Sequence, residues 1–237
     1  MNDPRKLRYY TRRRLSPGFF DNWSITNWII LTNFIFFIFV MILLAISEDY
    51  IKYIAIQPVL FFRGYVWTAL TSMFMHGGIF HLLINMFVLF SLGGLCEKII
   101  GRKRFLYFYL ISGIIAGLAF VFLAYFFGTS ELGARIFGSP TAFAVGASGA
   151  IFAIAGLFVI LTPRLRFMII FLPFFSLPAY IMIPLVLFLT WLVSVGANWG
   201  VGNTAHFGGL LVGVIYGLYL KQKYRRKTAM ISRYFSG

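Results

Sequence analysis

The sequence predicts an all-α membrane protein, a bundle of six transmembrane helices in which the fourth helix is short. Two observations of composition carry this prediction: 60% of the 237 residues are hydrophobic and 11% are charged, and the mean hydropathy is +0.87. A water-soluble domain is far less apolar. The third observation is that the chain has 21 Lys and Arg residues but only 6 Asp and Glu residues. Because these cations lie between apolar segments and at the chain ends, they indicate membrane topology and exclude a nucleic-acid-binding face.

Six apolar segments account for the predicted helices. The first, Trp28 to Ile46, has roughly 20 residues, which is enough to cross a hydrocarbon core of about 30 Å. It follows a basic stretch, and no small-residue cleavage pattern comes after it, so we expect it to be retained as a helix. The other five segments are Phe80 to Cys96, Phe105 to Phe127, Ser148 to Leu161, Phe167 to Val195 and Ala205 to Leu220.

Basic residues collect on one predicted side of the bundle. They precede the first segment and follow the second, fourth and sixth. We expect a multi-pass protein of the cell membrane, and the positive-inside rule places both of its termini on the cytoplasmic side. We therefore expect a basic cytoplasmic N-terminal segment (1–24), a membrane domain (25–220) and a basic, mobile C-terminal tail (221–237).

Two connections on the other side are long. Tyr50 to Met75 is apolar and aromatic, and we expect it to lie in the membrane interface with Tyr65 and Trp67 as anchors. Gly128 to Ala147 contains repeated glycines and a proline, so it cannot form one continuous helix.

The fourth segment gives Ser148 its interest. At about 1.5 Å per residue, Ser148 to Leu161 measures roughly 20 Å, which is less than the apolar core of about 30 Å. The backbone of Ser139 to Ala147 must then descend to membrane depth without helical hydrogen bonds, which is tolerated inside protein or beside a wet cavity. The sequence thus predicts a water-accessible pit with Ser148 at its floor. The alternative is a small residue that packs between helices.

A serine nucleophile needs a base, and His206 is the best-placed candidate. It begins the sixth segment and shares a face of that helix with Gly209, Gly213 and Gly217. The fourth segment carries a matching stripe of small residues, so the two helices can approach closely. We expect this packing to bring His206 within hydrogen-bond reach of Ser148. The alternative is an interfacial histidine that bonds to a loop.

His81 and Asn85 lie four residues apart and therefore share one face of the second segment. Both side chains can donate hydrogen bonds, so with the Ser148 amide they can surround a tetrahedral oxyanion. The alternative is a polar pair that joins two helices. We expect His76 to brace the preceding loop.

Several kinds of chemistry are excluded by what the sequence lacks. Cys96 is the only cysteine, so there is no internal disulfide and no multi-cysteine zinc site. There is no H-E-x-x-H motif and no pair of intramembrane aspartates. Since no acidic residue falls inside a predicted segment, any mechanism uses a Ser–His dyad, without a third carboxylate, metal or cofactor.

The chain contains three short motifs. In chain order they are His81 with Asn85 on the second helix, Gly146–Ala147–Ser148–Gly149 at the head of the fourth, and Ala205–His206 with Gly209 and Gly213 on the sixth. Together they resemble the minimal six-helix form of the rhomboid intramembrane serine proteases, over about Ile25 to Leu220.

The resemblance implies roles for the motif residues. Ser148 would be the nucleophile, His206 the general base and acid, and His81, Asn85 and the Ser148 amide the oxyanion site. Trp199, in the connection before the sixth helix, would belong to a gate beside the fifth helix.

The resemblance also implies that Tyr50 to Met75 is a membrane-embedded first loop. Two residues depart from the usual family pattern. Thr68 follows Trp67 where an arginine is common, which puts the bracing of that loop in doubt. Phe152, which we place at the gate and substrate access, stands where a tyrosine often stacks on the catalytic histidine.

The implied activity is cleavage of a substrate's transmembrane segment that enters between the second and fifth helices. The implied partners are transmembrane protein substrates and the lipid bilayer, with no nucleic acid. One alternative is an inactive rhomboid-like protein that binds transmembrane segments as a chaperone or adaptor. Another is a small transporter or channel, although the polar residues here stop on the outer side.

Overall fold

Helices make up most of the computed structural model, which describes residues 23–169, 172–197 and 202–235. In chain order the helices are α1 (Ile25–Ile46), α2 (Ile51–Ile54), α3 (Pro58–Phe62), α4 (Thr68–Thr71), α5 (Ile79–Ile100), α6 (Arg102–Phe127), α7 (Glu131–Phe137), α8 (Ser148–Leu161), α9 (Ala179–Ala197), α10 (Asn203–Lys223) and α11 (Arg225–Tyr234). A two-stranded antiparallel sheet, β1 (Arg166–Ile169) and β2 (Leu172–Pro178), precedes α9.

Four helices of the described ranges, α1, α5, α6 and α9, are long and apolar enough to cross a membrane. Helix α8 is apolar but has 14 residues, as the short fourth segment predicts. Helix α10 has 21 residues, is not one of these four, and contains Asn203, His206 and two lysines besides its glycines. The all-α membrane bundle is therefore confirmed, and the count of six spans stays a prediction.

The fifth predicted segment is wrong in its first part. Phe167 to Val195 was expected to be one helix, yet the chain up to Pro178 forms the β1–β2 hairpin, and α9 begins after it. Prolines Pro173 and Pro178 lack an N–H and bias the preceding residue toward extended backbone. The Arg166 side chain joins the strands by donating from Nε to Ser176 Oγ at 3.0 Å and from Nη2 to Ser176 O at 2.6 Å.

The expectation that no acidic residue lies inside a spanning helix is also wrong. Helix α5 continues past Cys96 to Ile100 and so includes Glu97. The buried Glu97 carboxylate accepts hydrogen bonds from the amides of Ile25 and Thr26, both at 2.9 Å, and from Thr26 Oγ1 at 2.8 Å. It thus satisfies free N–H groups in the first turn of α1, where a negative charge is also favoured by the helix dipole.

The C-terminal tail is helical where a mobile segment was predicted. Helix α10 extends to Lys223, and α11 follows after a break at Tyr224. Thr228 Oγ1 donates to the carbonyls of Tyr224 and Arg225, both at 3.1 Å. The buried Thr228 faces the bundle, so α11 is held against the protein and is not a free tail.

Helix α8 forms the buried centre of the bundle, and α10 packs along it with backbone against backbone. A Cβ atom built on Gly209 would overlap the carbonyl oxygen of Gly149, and one built on Gly213 would overlap the carbonyl oxygen of Ala153. Such approach requires residues without side chains, as in other close helix pairs in membranes. The small-residue faces predicted for these two helices therefore do meet.

The irregular segment before Ser148 obtains its hydrogen bonds from the first loop. Ile56 and Ala144 exchange two backbone bonds, of 3.1 and 2.8 Å, and the Gly146 amide donates to Ser72 O at 2.9 Å. This pairing supplies part of the hydrogen bonds that a non-helical backbone needs inside a membrane protein.

The first loop is braced despite Thr68. This residue is buried, and its Oγ1 donates to Tyr65 O at 2.6 Å. Thr71 Oγ1 donates to Ile54 O at 2.8 Å, which joins α4 to α2. The two threonine hydroxyls thus supply hydrogen bonds within the loop, so the absence of arginine at position 68 does not leave it loose.

Candidate active site

Ser148 is the first residue of α8 and lines a cavity of about 1320 Å³. His81, Asn85, Gly146 and His206 line the same cavity. The first amides of α8 have no partner within their own helix, and the positive end of the helix dipole lies at Ser148. This is the pit that the short fourth helix predicts, with all four polar candidates around one space.

Ser148 and His206 are in hydrogen-bond contact, with 2.7 Å between Ser148 Oγ and His206 Nε2. The contact joins the N-terminal ends of α8 and α10, whose glycine faces bring the two backbones together. For Nε2 to accept the Ser148 proton, the ring must carry its own proton on Nδ1. His206 Nδ1 is buried, and no group in the described residues bonds to it.

The His206 ring is held by an aromatic contact. Phe152, one turn after Ser148, stacks on it with 4.6 Å between ring centroids and 22° between ring planes. The sequence places Phe152 where this stacking is expected, and the structure shows it without the tyrosine hydroxyl. The Phe152 ring also lines the cavity, and its role at the gate stays a prediction. Among the described residues no carboxylate contacts His206, so packing orients the ring.

His81 presents its ring to the backbone before Ser148. The Gly77 amide approaches His81 Nδ1 at 3.4 Å as a donor, which favours the tautomer with its proton on Nε2. The Nε2 side of the His81 ring lies against Gly146, whose φ is +121°. A Cβ at Gly146 would lie 3.0 Å from His81 Nε2 and 3.7 Å from Ser148 Oγ. Gly146 is therefore required both by its backbone conformation and by the approach of His81.

Asn85 lies one turn further along α5 and is buried. Its Nδ2 donates to His81 O at 2.8 Å, within the same helix. One N–H of the amide is thus used locally, and the second remains for a group in the cavity.

His76 lies against the ring of His81, a contact that the sequence did not predict. Its ring meets that of His81 edge to face, with 5.1 Å between centroids, and its Nδ1 is 3.3 Å from Phe74 O. Burial and, to a smaller degree, the nearby His81 together lower the pKa of His76 to about 4. A neutral His76 therefore packs against His81. His76 was predicted to brace the loop, and this contact shows that it also supports His81, the candidate oxyanion residue. The five-residue spacing of the two histidines across a glycine pair gave no signal of this contact.

The predicted gate residue Trp199 lies outside the described residues. Another tryptophan, Trp191 of α9, donates from Nε1 to Ile136 O at 3.1 Å and lies 6.3 Å from the Phe207 ring. It ties the outer part of α9 to α7 and α10. Its position within the fifth apolar segment was visible in the sequence, but its partners are distant in the chain.

The cavity extends away from Ser148 between α5 and α9. Val88 and Ser91 line it from α5, Ile183 and Val186 from α9, and Met168 from β1. Among the described residues, no cluster of three or more His, Cys, Asp or Glu side chains is arranged to hold a metal ion.

Comparison with known proteins gives a family match over most of the chain. The rhomboid domain model matches residues 63–223. RHOMBOID-like protein 4 from Arabidopsis thaliana is 33% identical over 154 residues, covering 65% of this chain and 34% of the relative. Rhomboid protease GluP from Bacillus subtilis is 32% identical over 170 residues, covering 70% of this chain and 28% of the relative.

A mitochondrial relative is also similar. Rhomboid protein 1, mitochondrial, from Saccharomyces cerevisiae is 27% identical over 188 residues, covering 75% of this chain and 49% of the relative. The matches thus span less than half the length of each of these three relatives. All of them bear the same family name.

Proposed function

The chain belongs to the rhomboid family, and we propose that it is an intramembrane serine endopeptidase that cleaves transmembrane segments of other membrane proteins. The observation that carries the proposal is the 2.7 Å contact between Ser148 Oγ and His206 Nε2 at the N-terminus of a helix that opens into a cavity. A relative whose name includes rhomboid protease supports the same class of activity.

In the first step, Ser148 Oγ attacks the carbonyl carbon of the scissile peptide bond, and His206 Nε2 takes the hydroxyl proton. The carbonyl oxygen becomes an oxyanion. Its donors would be the Ser148 amide, the Nε2–H of His81 and the second N–H of Asn85. Fixed donors in a site of low polarity stabilise developing charge far better than water does.

In the second step, the peptide C–N bond breaks, and His206 returns the proton to the leaving amine. A water molecule from the cavity then gives a proton to His206 and attacks the acyl-enzyme, which restores the Ser148 hydroxyl. His206 has no carboxylate partner among the described residues, so Phe152 takes over the orienting part of that role and leaves a weaker base.

The substrate would enter between α5 and α9. The cavity that contains Ser148 continues between these helices, where apolar side chains such as Ile84 and Val186 line it. A peptide bond in a helix is shielded by its own hydrogen bonds, so the substrate must unwind near Ser148. Helix-breaking or small residues near the outer end of its membrane segment would lower that cost.

We also propose that the protein lies in a cell membrane with both termini on the cytoplasmic side. Arg102 Nη2 donates to Trp23 O at 2.6 Å, and Arg104 Nη2 donates to Tyr224 Oη at 3.2 Å. The start of α1, the α5–α6 connection and the end of α10 therefore share one end of the bundle, where the cations collect. The positive-inside rule favours the cytoplasm for this end.

A paired experiment tests the proposal. The protein reconstituted in lipid is treated with a fluorophosphonate that labels activated serines, and cleavage of a model transmembrane substrate is followed. Ser148→Ala should abolish labelling, and both Ser148→Ala and His206→Ala should lower cleavage by about 10³-fold or more. Ser91→Ala is the matched control because Ser91 lines the same cavity but bonds within its own helix to Phe87 O.

Two results would contradict the dyad: labelling that persists in Ser148→Ala, or cleavage at full rate in His206→Ala. A protein that binds the substrate with wild-type affinity but neither labels nor cleaves would support the adaptor alternative instead. Binding is therefore measured in parallel with the same substrate.

A further inference from the structure

A second cavity lies at the end of α8 opposite Ser148. It is an open recess with a volume of about 760 Å³, and it is lined by the last turn of α8, the last turns of α10 and one face of α11. Ile160, Leu161 and Leu218 form its apolar part. The cavity is separate from the candidate active site, since about 20 Å of helix lies between Ser148 and Leu161.

Three cations line the other part of this cavity. Lys221 comes from the last turn of α10, and Arg225 and Arg233 come from one face of α11, with the small residues Thr228 and Ala229 between them. Within the described ranges, no acidic side chain lines the cavity, and none of the three cations takes part in an ion pair. Within the part of the chain that the structure describes, three positive charges without an acidic partner thus border an apolar recess.

The cavity lies where α10 ends and α11 begins, at the end of the bundle that carries the cations. Helix α11 follows directly on α10, and its outward stripe contains Arg226, Met230 and Tyr234. Met230 is 71% exposed and Tyr234 is 81% exposed. A short helix that combines cations with exposed apolar and aromatic side chains is suited to the headgroup region of a bilayer.

We propose that this cavity binds an anionic phospholipid, with the phosphate at Lys221, Arg225 and Arg233 and the glycerol end of the acyl chains on Ile160 and Leu161. Phosphate oxygens accept charge-assisted hydrogen bonds from Arg and Lys, and basic recesses between membrane helices at the surface favour anionic headgroups. The apolar part of the cavity favours a lipid over a free anion, which has nothing to place there. The inference does not depend on protease activity.

The test uses the full chain in a neutral detergent. It is titrated with phosphatidylglycerol, with phosphatidylcholine and with inorganic phosphate, and bound lipid is counted by native mass spectrometry. The cavity variant replaces Lys221, Arg225 and Arg233 by alanine. The matched control replaces Lys223, Arg226 and Lys227 by alanine, which removes the same charge from the same two helices at positions that do not line the cavity.

We expect one phosphatidylglycerol to bind wild type and control tightly, with phosphatidylcholine weaker by tenfold or more. Each cation removed from the cavity should weaken phosphatidylglycerol binding by about fivefold, so the cavity variant should lose about 100-fold. Equal weakening in the cavity variant and the control would overturn the proposal, because general surface charge would then explain the binding. Inorganic phosphate that displaces the lipid at equal concentration would also overturn it.

If the cavity variant does not fold, the single change Arg233→Ala is compared with Arg226→Ala. Both positions are exposed on α11, and Arg233 alone lines the cavity. A fivefold loss in Arg233→Ala with no loss in Arg226→Ala supports the proposal, and equal affinities contradict it.

Discussion

Helices α10 and α9 both border α8, and they do so in different ways. Helix α10 meets α8 backbone to backbone along its length, through Gly209 and Gly213. Helix α9 meets α8 near its own start, where Ala179 and Ile183 pack on Ala155, and further out its side chains line the cavity. Close backbone packing prevents α10 from sliding along α8, whereas α9 borders a cavity and its side chains have space to move. The comparison indicates that the α8–α10 side fixes the Ser148–His206 geometry, while the α9 side provides the space into which we propose that a substrate enters.

The close contact between α8 and α10 can be tested by adding one methyl group to α10. Gly213→Ala would place a Cβ against the Ala153 carbonyl and force α10 away from α8. A shift of about 1 Å in a catalytic pair can cost about 100-fold in rate, so cleavage should fall by about that factor, with a lower melting temperature. Gly94→Ala is the control, because a Cβ there meets nothing within 4 Å. Wild-type activity in Gly213→Ala would show that α10 can adjust.

The open side can be tested by filling it. Val186→Trp on α9 would occupy part of the cavity and should lower cleavage of a transmembrane substrate by about tenfold, by obstructing its binding. Fluorophosphonate labelling of Ser148 should remain, since the small probe does not need the space between α5 and α9. Val193→Trp, also exposed on α9 but away from the cavity, serves as the comparison. A parallel loss of labelling would mean that the substitution distorts the site and does not block a path.

The stacked ring on His206 lies between the two sides. Phe152→Ala should lower kcat by about fivefold, since an aromatic pair contributes about 1 kcal/mol and no described residue bonds to Nδ1, the ring nitrogen that faces away from Ser148. Phe152→Tyr should keep the rate within about twofold because the stacking face is retained. The kinetic measurement separates kcat from KM, and a change confined to KM would assign Phe152 to substrate binding.

The smallest expected effect concerns the anchoring of α9. Trp191→Phe keeps the ring but removes the hydrogen bond to Ile136 O, which is worth about 1 kcal/mol or less. Easier displacement of α9 should then raise cleavage by about threefold. Trp67→Phe removes a similar bond, from Nε1 to Tyr53 O at 2.9 Å, in the first loop and should not raise it. A slower Trp191→Phe variant would indicate that α9 must stay fixed for catalysis.

Local patterns in the sequence predicted most of the fold and the candidate residues. The length of the apolar run after Ser148 predicted a short helix, and the spacing of Gly209 and Gly213 after His206 predicted a close helix pair. Both features depend on periodicity and length, which a sequence displays directly.

The errors arose where partners are distant in the chain. A charge normally ends an apolar segment, so the sequence predicts that the second helix ends before Glu97, but the first turn of α1, about 70 residues earlier, stabilises Glu97 inside the helix. The segment before α9 is as apolar as a span and therefore predicts a helix, yet its two strands pair as a hairpin. Periodicity alone cannot separate a buried strand from a helix in such a run.

By itself the sequence determined the membrane class, the shortness of the fourth helix and the identity of Ser148 and His206 as candidates, since composition, length and spacing are local quantities. Only the tertiary structure decided that Ser148 Oγ and His206 Nε2 lie 2.7 Å apart, that His76 supports His81 and that a basic cavity lies at the opposite end of α8. These are relations between side chains on separate helices. They depend on how closely two backbones approach, and that is fixed only when the helices pack.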